Sequence, residues 1–349
     1  MLSLGGLQHS RRIRLKSGPK TANRELDDRK SRGSSAALRQ KTVSQPLILR
    51  VPAWKPYSWL VHGFSTRAGG VSTAYRHGAK GGDLNLGFTA SDTRENVHKN
   101  RELFLCTVWN GQRVSNSKSA QPQWTLLRQV YLRQIHSGLV QSVAPLSPGD
   151  NSGPDVETLL RGDGSITTAA GTLLGIQTAD CFPILVADTR QRIVAAFHAG
   201  WRGTLARIAE RGVGRMRAEF GSRPEDLTAA IGPGIGPCCF SVGEKVRMEF
   251  RSQFAYAEEL FKEIFDLDPV KQKYPMLFLT ARAPGHSNLG PSIHLDLIDA
   301  NRRQLLDAGL KPGAIHSLNL CTACDTKRFF SHRAEQGFTG RMLNVIGIV

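Results

Sequence analysis

Residues 172–203 read TLLGIQTADCFPILVADTRQRIVAAFHAGWRG. Three apolar runs stand in this stretch, at 172–178, 182–187 and 193–198, and the second and third flank a polar turn over 188–192. Runs this short, bounded by turn residues, read as strands, and their nearly continuous apolar character predicts burial on both faces. A symmetric hairpin with Thr189 and Arg190 at the middle of its turn sets Cys181 opposite His198 at the open end. Directly opposed Cβ atoms lie about 5 Å apart. Zinc takes sulfur at about 2.3 Å and nitrogen at about 2.1 Å, so one divalent ion fits between such a pair.

A thiol beside an imidazole is also the arrangement of a nucleophile and its base, because the thiol there loses its proton readily. A third ligand separates the two readings. His136 ends the apolar run 130–135 and can be delivered to the same rim. Three protein ligands that leave a fourth position open are what a catalytic zinc needs, since water or substrate must reach the ion. Each residue alone also has a plain structural reading, the Cys as a small buried hydrophobe and the His as a hydrogen-bonded spectator.

Working outward, further strands are expected at 47–51, 61–66, 130–135, 227–231, 276–280 and 342–349. Amphipathic helices are expected over 93–104, 203–220, 243–254 and 295–308, the last stopped by Gly309. Gly212 and Gly214 weaken the second of these. No internal repeat and no Pro-, Gly- or Ser-rich linker divides the core, so residues 46–349 read as one α+β domain of layered sheets and helices. Residues 1–45 are basic, lack apolar periodicity and are expected to be a disordered tail.

The chain of 349 residues is 40% hydrophobic, enough for a sizeable core. It holds no apolar run long enough to span a bilayer, so no membrane partner is expected. The formal charge is +17, of which residues 1–45 carry +8 through eleven Lys and Arg against three Asp and Glu. The remainder is diffuse and comes with no helix-turn-helix, finger or stacking motif, which fits small anions better than nucleic acid. Cys106, Cys181, Cys238, Cys239, Cys321 and Cys324 do not form a disulfide scaffold, and no apolar signal segment precedes them, so a cytoplasmic location is expected. Cys321 and Cys324 have the spacing of half a zinc ribbon; the adjacent Cys238 and Cys239 make a poor second half, and buried thiols are the simpler expectation. Residues 232–236, GPGIG, match neither a dinucleotide fingerprint nor a Walker string and read as tight backbone turning.

Eight strings in order resemble the YfiH-like family, also called the polyphenol oxidase (laccase) family or peptidoglycan editing factor. They are HGFSTR from His62, LNLG from Leu84, EN at Glu95 with NR at Asn100, QIH ending at His136, TADC ending at Cys181, HAGWRG from His198, IGP from Ile231 through PCC at Cys239, and CTACD from Cys321 with FFS from Phe329. The resemblance implies an α/β/β/α layered sandwich, zinc on His136, Cys181 and His198, and a purine nucleoside phosphorylase. Adenosine, inosine, guanosine and methylthioadenosine are the implied substrates, with adenosine deaminase activity at the same site. The chain departs from the family where Ser137 follows His136 in place of Gly, where 75–83 is longer than usual, and where Ala334 follows Arg333 in place of a second Arg, which ranks Arg333 and Arg341 low as anion ligands.

Phosphorolysis needs phosphate at the ribose C1′ and a cation to hold it. Arg202, just after His198 at an expected helix start, is the first choice for that contact. Asn85 and Arg101 follow as substrate-binding residues from the resemblance. Deamination needs a helper acid or base; the His-x-Glu string of zinc deaminases is absent, so Asp180 beside the ligand Cys181 is the candidate, with turn-holding as its structural alternative. The implied partners are therefore a nucleoside and phosphate, with the protein a monomer or small homo-oligomer.

Three other functions compete. A multicopper oxidase needs about ten copper ligands, mostly paired as His-x-His, and all ten histidines here are isolated, so copper ranks below zinc. A cysteine hydrolase would use Cys181 as nucleophile and His198 as base on an amide such as a peptidoglycan precursor. A non-catalytic binding module leaves a rim of His, Cys and Arg unexplained.

Overall fold

Two six-stranded sheets carry the structure. The computed structural model describes residues 45–75, 81–110, 127–145, 155–265, 273 and 291–349. The tail expected over 1–45, apart from residue 45, and the strand expected over 276–280 lie outside the described residues. The first sheet runs in the order Ile48–Leu49, Leu60–Ser65, Met342–Ile348, Thr172–Thr178, Arg128–Arg133, Asp155–Arg161. The second runs Ile315–Ser317, Leu227–Ile231, Phe182–Asp188, Ile193–Ala199, Gly164–Thr167, Val140–Ser142. Within the first sheet Arg128–Arg133 pairs in parallel with both of its neighbours, while Met342–Ile348 pairs antiparallel with both of its own.

Strict alternation of side chains explains why the strands are apolar throughout. Ile184, Val186, Ala195 and Phe197 leave the second sheet on one side and pack on Ile208, Ala209, Val213 and Met216 of the helix Ile208–Phe220, and on Leu297, Ala300 and Leu305 of the helix Leu297–Asp307. Leu185, Ala187, Val194 and Ala196 leave on the other side and meet Phe64, Leu174, Ile176 and Ile346 of the first sheet. The outer face of the first sheet, through Val61, Tyr131, Leu173 and Val345, is covered by Phe104, Leu105 and Val108 of the helix Arg94–Asn110. The order of layers is helix, sheet, sheet, helix, as expected. Burying each of the Val, Leu, Ile, Phe and Met side chains among these contributes roughly 1.5–3 kcal/mol, so the three apolar layers leave the strands no face to turn to solvent.

Two local expectations need correction. The helix expected over 203–220 is two helices, Trp201–Leu205 and Ile208–Phe220, because Arg207 between them has φ 58 and no helix continues through a left-handed residue. The hairpin register is shifted by two: Pro183 faces His198 and Phe182 faces Ala199. Asp188 causes the shift by accepting the backbone N–H groups of Arg190 and Gln191 on its side chain and that of Arg192 on its carbonyl, so the turn is longer and centred later. Because side chains alternate with a period of two, this shift leaves Cys181 and His198 on the same side, as diagonal rather than direct neighbours.

Candidate metal centre and cleft

The chain passes from the first sheet to the second three times at one end of the sandwich, and each passage carries a polar residue of the candidate site. Thr172–Thr178 leads into Phe182–Asp188 through Cys181; Arg128–Arg133 leads towards Val140–Ser142 through His136; Asp155–Arg161 leads into Gly164–Thr167 through Asp163. His198, near the end of Ile193–Ala199, completes the group from the second sheet. Adjacent strands thus put their connections side by side at the mouth between the sheets.

The metal-capable atoms of His136, Cys181 and His198 all lie within 4.8 Å of one another. The two imidazoles meet edge to face, with centroids 4.9 Å apart and planes at 75°. His198 is buried, Cys181 half-buried and His136 exposed, so the group opens on the His136 side. Backbone geometry is unusual on both sides of the mouth, since His136 has φ 58 and Asp180, next to Cys181, has φ 87. Non-glycine residues take such angles only where neighbouring contacts hold them. Gly200 leaves the room: a Cβ there would lie 2.8 Å from Cys181 Sγ and 3.4 Å from His136 Cδ2.

Asp163 holds this arrangement, and the sequence reading missed it. Its fully buried carboxylate accepts the backbone N–H of Ile135, His136 and Ser137 and the hydroxyl of Ser137, and it faces His198 Nδ1 at 2.9 Å. Burial acts to raise this carboxyl, but the bonds from His198 and Ser137 bring it down to about 2. An ionised carboxylate only accepts, so His198 carries its proton on Nδ1 and turns its other nitrogen to the group. Ser137, where the family resemblance expects Gly, uses its hydroxyl in the same net. The one sequence signal for Asp163 was its place between Gly162 and Gly164, a turn mark that names no partner.

The charges couple strongly. Burial alone would raise the Cys181 thiol, but the His198 charge beside it and hydrogen bonds from both imidazoles draw it down. Burial would lower His198, yet the Cys181 thiolate and the Asp163 carboxylate lift it above the ordinary range. A thiolate with a basic, carboxylate-oriented imidazole is a donor set that fits a soft to borderline divalent cation.

The group lies in a cleft of about 700 Å³. Tyr131, Trp201, Phe240 and Leu297 give it apolar walls, and Arg133, Arg333 and Arg341 give it cations. Arg333 is steadied over the Phe240 ring, with its Cζ 5.3 Å from the centroid, and donates to Ser241. The other expected site residues are placed differently. Asp180 touches the cleft, but its carboxylate accepts from Thr322 Oγ1, Ser331 Oγ and the Arg333 N–H, tying down the wall. Asn85 is wholly buried and is not in the lining: its amide donates to the Gly87 carbonyl and the Asp92 carboxylate, and its oxygen accepts the backbone N–H of the lining residue Arg341. Arg101 is buried between the rings of Phe88 and Tyr131 and donates to the Leu86 carbonyl, behind the cleft wall. Arg202 lies over Trp201 and lines a separate hollow with Arg207 and Arg211, and its helix is only five residues long.

One further expectation fails. Cys238, Cys239, Cys321 and Cys324 are not scattered buried thiols: their sulfurs lie within 4.8 Å of one another, with Cys238 and Cys324 exposed. Tight turning brings residues 236–239 back over the 321–324 loop, which sequence separation concealed. Among the described residues no helix is long and apolar enough to cross a membrane.

Comparison with known proteins agrees with this architecture. The family model described as multi-copper polyphenol oxidoreductase laccase matches residues 61–349. A protein of Geobacillus stearothermophilus called purine nucleoside phosphorylase YlmD is 34% identical over 295 residues, covering 84% of this chain and 91% of its own length. The Bacillus subtilis protein of the same name is 30% identical over 311 residues, 88% of this chain and 96% of its own. The crystal structure of the Bacillus licheniformis hypothetical protein YfiH superposes with a TM-score of 0.66 at 27% identity, over 88% of this chain and 98% of that one. The strings around His136, Cys181 and His198, the layered sandwich and these likenesses agree that the chain belongs to the YfiH-like, polyphenol oxidase (laccase) family.

Proposed function

We propose that the protein is a zinc-dependent purine nucleoside phosphorylase that acts on adenosine, inosine, guanosine and methylthioadenosine and also deaminates adenosine. The observation that carries this is one cleft in which a His136, Cys181 and His198 group adjoins aromatic walls and three arginines. The relatives named as purine nucleoside phosphorylases support the same reading. A cleft of this size suits a nucleoside.

Trp201 and Phe240 line the cleft and would pack against a purine, and Arg133, Arg333 and Arg341 would hold phosphate where the excess of cations favours it. In phosphorolysis the C1′–N9 bond breaks, a C1′–O bond to phosphate forms, and the purine leaves with a proton. In deamination water enters at C6 and ammonia leaves. His136, Cys181 and His198 would hold the ion, and Asp163 fixes the His198 tautomer that this needs. A bound zinc supplies Lewis acidity and lowers the pKa of water that reaches it. Asp180 serves this chemistry by holding the cleft wall.

The test is to incubate metal-quantified protein with adenosine and inosine, with and without phosphate. Ribose 1-phosphate formed only with phosphate supports phosphorolysis, and inosine formed from adenosine without phosphate supports deamination. No turnover of any purine refutes the proposal. A second reading, a cysteine amide hydrolase, draws on the thiolate and imidazole aligned with Asp163. It requires full activity in protein stripped of metal, and the same metal analysis distinguishes zinc from copper.

A further inference from the structure

We propose that Cys238, Cys239, Cys321 and Cys324 bind a second zinc ion, a structural one, that staples together the two loops forming one wall of the cleft. Four sulfurs around a tetrahedral zinc at about 2.3 Å stand about 3.8 Å from each other. Here Cys238 Sγ and Cys239 Sγ lie 3.3 and 3.4 Å from Cys324 Sγ, and all four sulfurs fall within 4.8 Å of one another. Thiols that only pack as hydrophobes have no reason to converge at the ends of their side chains. The two pairs, Cys238 with Cys239 and Cys321 with Cys324, come from positions more than eighty residues apart.

Backbone contacts set the loops for this. Gly234 and Cys321 form a parallel bridge, with the Gly234 N–H donating to the Leu320 carbonyl and the Thr322 N–H to the Gly234 carbonyl. The Gly236 N–H points at Cys321 Sγ at 3.2 Å, the bond by which a backbone amide steadies a ligating thiolate. A Cβ on Gly236 would lie 3.3 Å from Cys321 Cβ and 3.4 Å from Cys238 Sγ, so glycine lets the loops close. His294 facing the Pro237 carbonyl at 2.7 Å anchors the turn just before Cys238. Four thiolates make a closed, soft, tetrahedral set that selects zinc or iron over magnesium or calcium, and it leaves no open position for catalysis. With two of the four cysteines exposed, redox-inert zinc is the ion that survives there.

The staple has a purpose in the fold. The first loop continues into Ile235 and Phe240, the second into His332 and Arg333, and all four line the cleft. Neither the metal group of His136, Cys181 and His198 nor the purine reading is needed for the argument.

The full-length chain, purified in a reducing buffer free of chelator, is expected to carry two zinc ions. Cys181→Ser should keep one, and Cys321→Ser combined with Cys324→Ser should lose one while keeping the cleft ion. Loaded with cobalt, Cys181→Ser should give the intense near-ultraviolet bands of several thiolates on one tetrahedral ion. The single variant Cys324→Ser, altered at an exposed residue, should weaken those bands without loss of helix and strand content by circular dichroism. Folded Cys181→Ser that holds no zinc, with four thiols reacting at once with a thiol reagent, overturns the proposal. So does a Cys238–Cys324 disulfide found by mass spectrometry in the reduced preparation, or iron with acid-labile sulfide in place of zinc.

Discussion

Replacing Gly200 by Ala separates the metal group from the fold that carries it. Gly200 has φ −76 and ψ 172, extended backbone that alanine adopts without strain. The substitution itself therefore removes only unfolded-state freedom, worth about 0.4–1 kcal/mol in favour of the folded chain. The new Cβ would stand 2.8 Å from Cys181 Sγ. Carbon and sulfur rest at about 3.7 Å, so the thiol must retreat by roughly 0.9 Å, against a tolerance of about 0.2 Å in a metal bond. Cys181 can move by rotating its single χ angle, which takes the sulfur off the shared point and leaves two imidazoles. The expected loss in zinc affinity is about 100-fold, or about 2.7 kcal/mol. Competition with a chromophoric chelator measures the affinity, and thermal unfolding with and without chelator measures the fold. The metal-free variant should melt at or above the metal-free parent, and the zinc-dependent rise in Tm should shrink. Unchanged zinc affinity would refute the geometry, and a metal-free Tm several degrees lower would show that Gly200 serves the core instead.

Asp163→Asn keeps the shape but offers one acceptor oxygen where the carboxylate accepts at two, and it no longer fixes the His198 proton; zinc affinity should fall about 10–100-fold. Isothermal titration reads that loss, and wild-type affinity would exclude an orienting role for Asp163. Arg133→Met should raise KM for phosphate about tenfold with zinc content unchanged, the loss expected for one charge-assisted contact in a steady-state phosphate series; equal KM values would remove Arg133 from the phosphate site. His62, only 2% exposed, accepts the Val51 N–H on Nε2, and burial followed by the Arg50 charge lowers its pKa from 6.5 to about 3. The unfolded chain binds this proton first, so the stability His62 contributes is complete above pH 6.5 and falls away as pH drops towards its folded value. From about pH 7 to about pH 5 the protein should lose about 2 kcal/mol through this one residue, a loss that His62→Gln should abolish in paired urea titrations.

The sequence by itself determined what depends on neighbours along the chain. Apolar runs at 172–178 and 227–231 became strands of those bounds, because a run buried on both faces carries its own signal. The side of the sheet on which Cys181 and His198 stand also followed from the period of two, and survived a register two residues out. His136, Cys181 and His198 were legible as a group through the strings that surround them, and the structure brings them together.

What lay beyond local pattern was decided only when the two sheets stacked. Asp163 sits between two strands that went unread, and its role arises because its crossing lies beside that of His136. Arg202 follows His198 closely in sequence yet lines another hollow, while Arg133 lines the cleft together with Arg333 and Arg341, from which it lies far apart along the chain. The four thiols converge through a bridge between Gly234 and Cys321 that no spacing rule contains. Periodicity and turn chemistry act over a few residues and fix which face a side chain takes. Which faces then meet depends on how whole layers bury their apolar area, and that is a property of the packed chain.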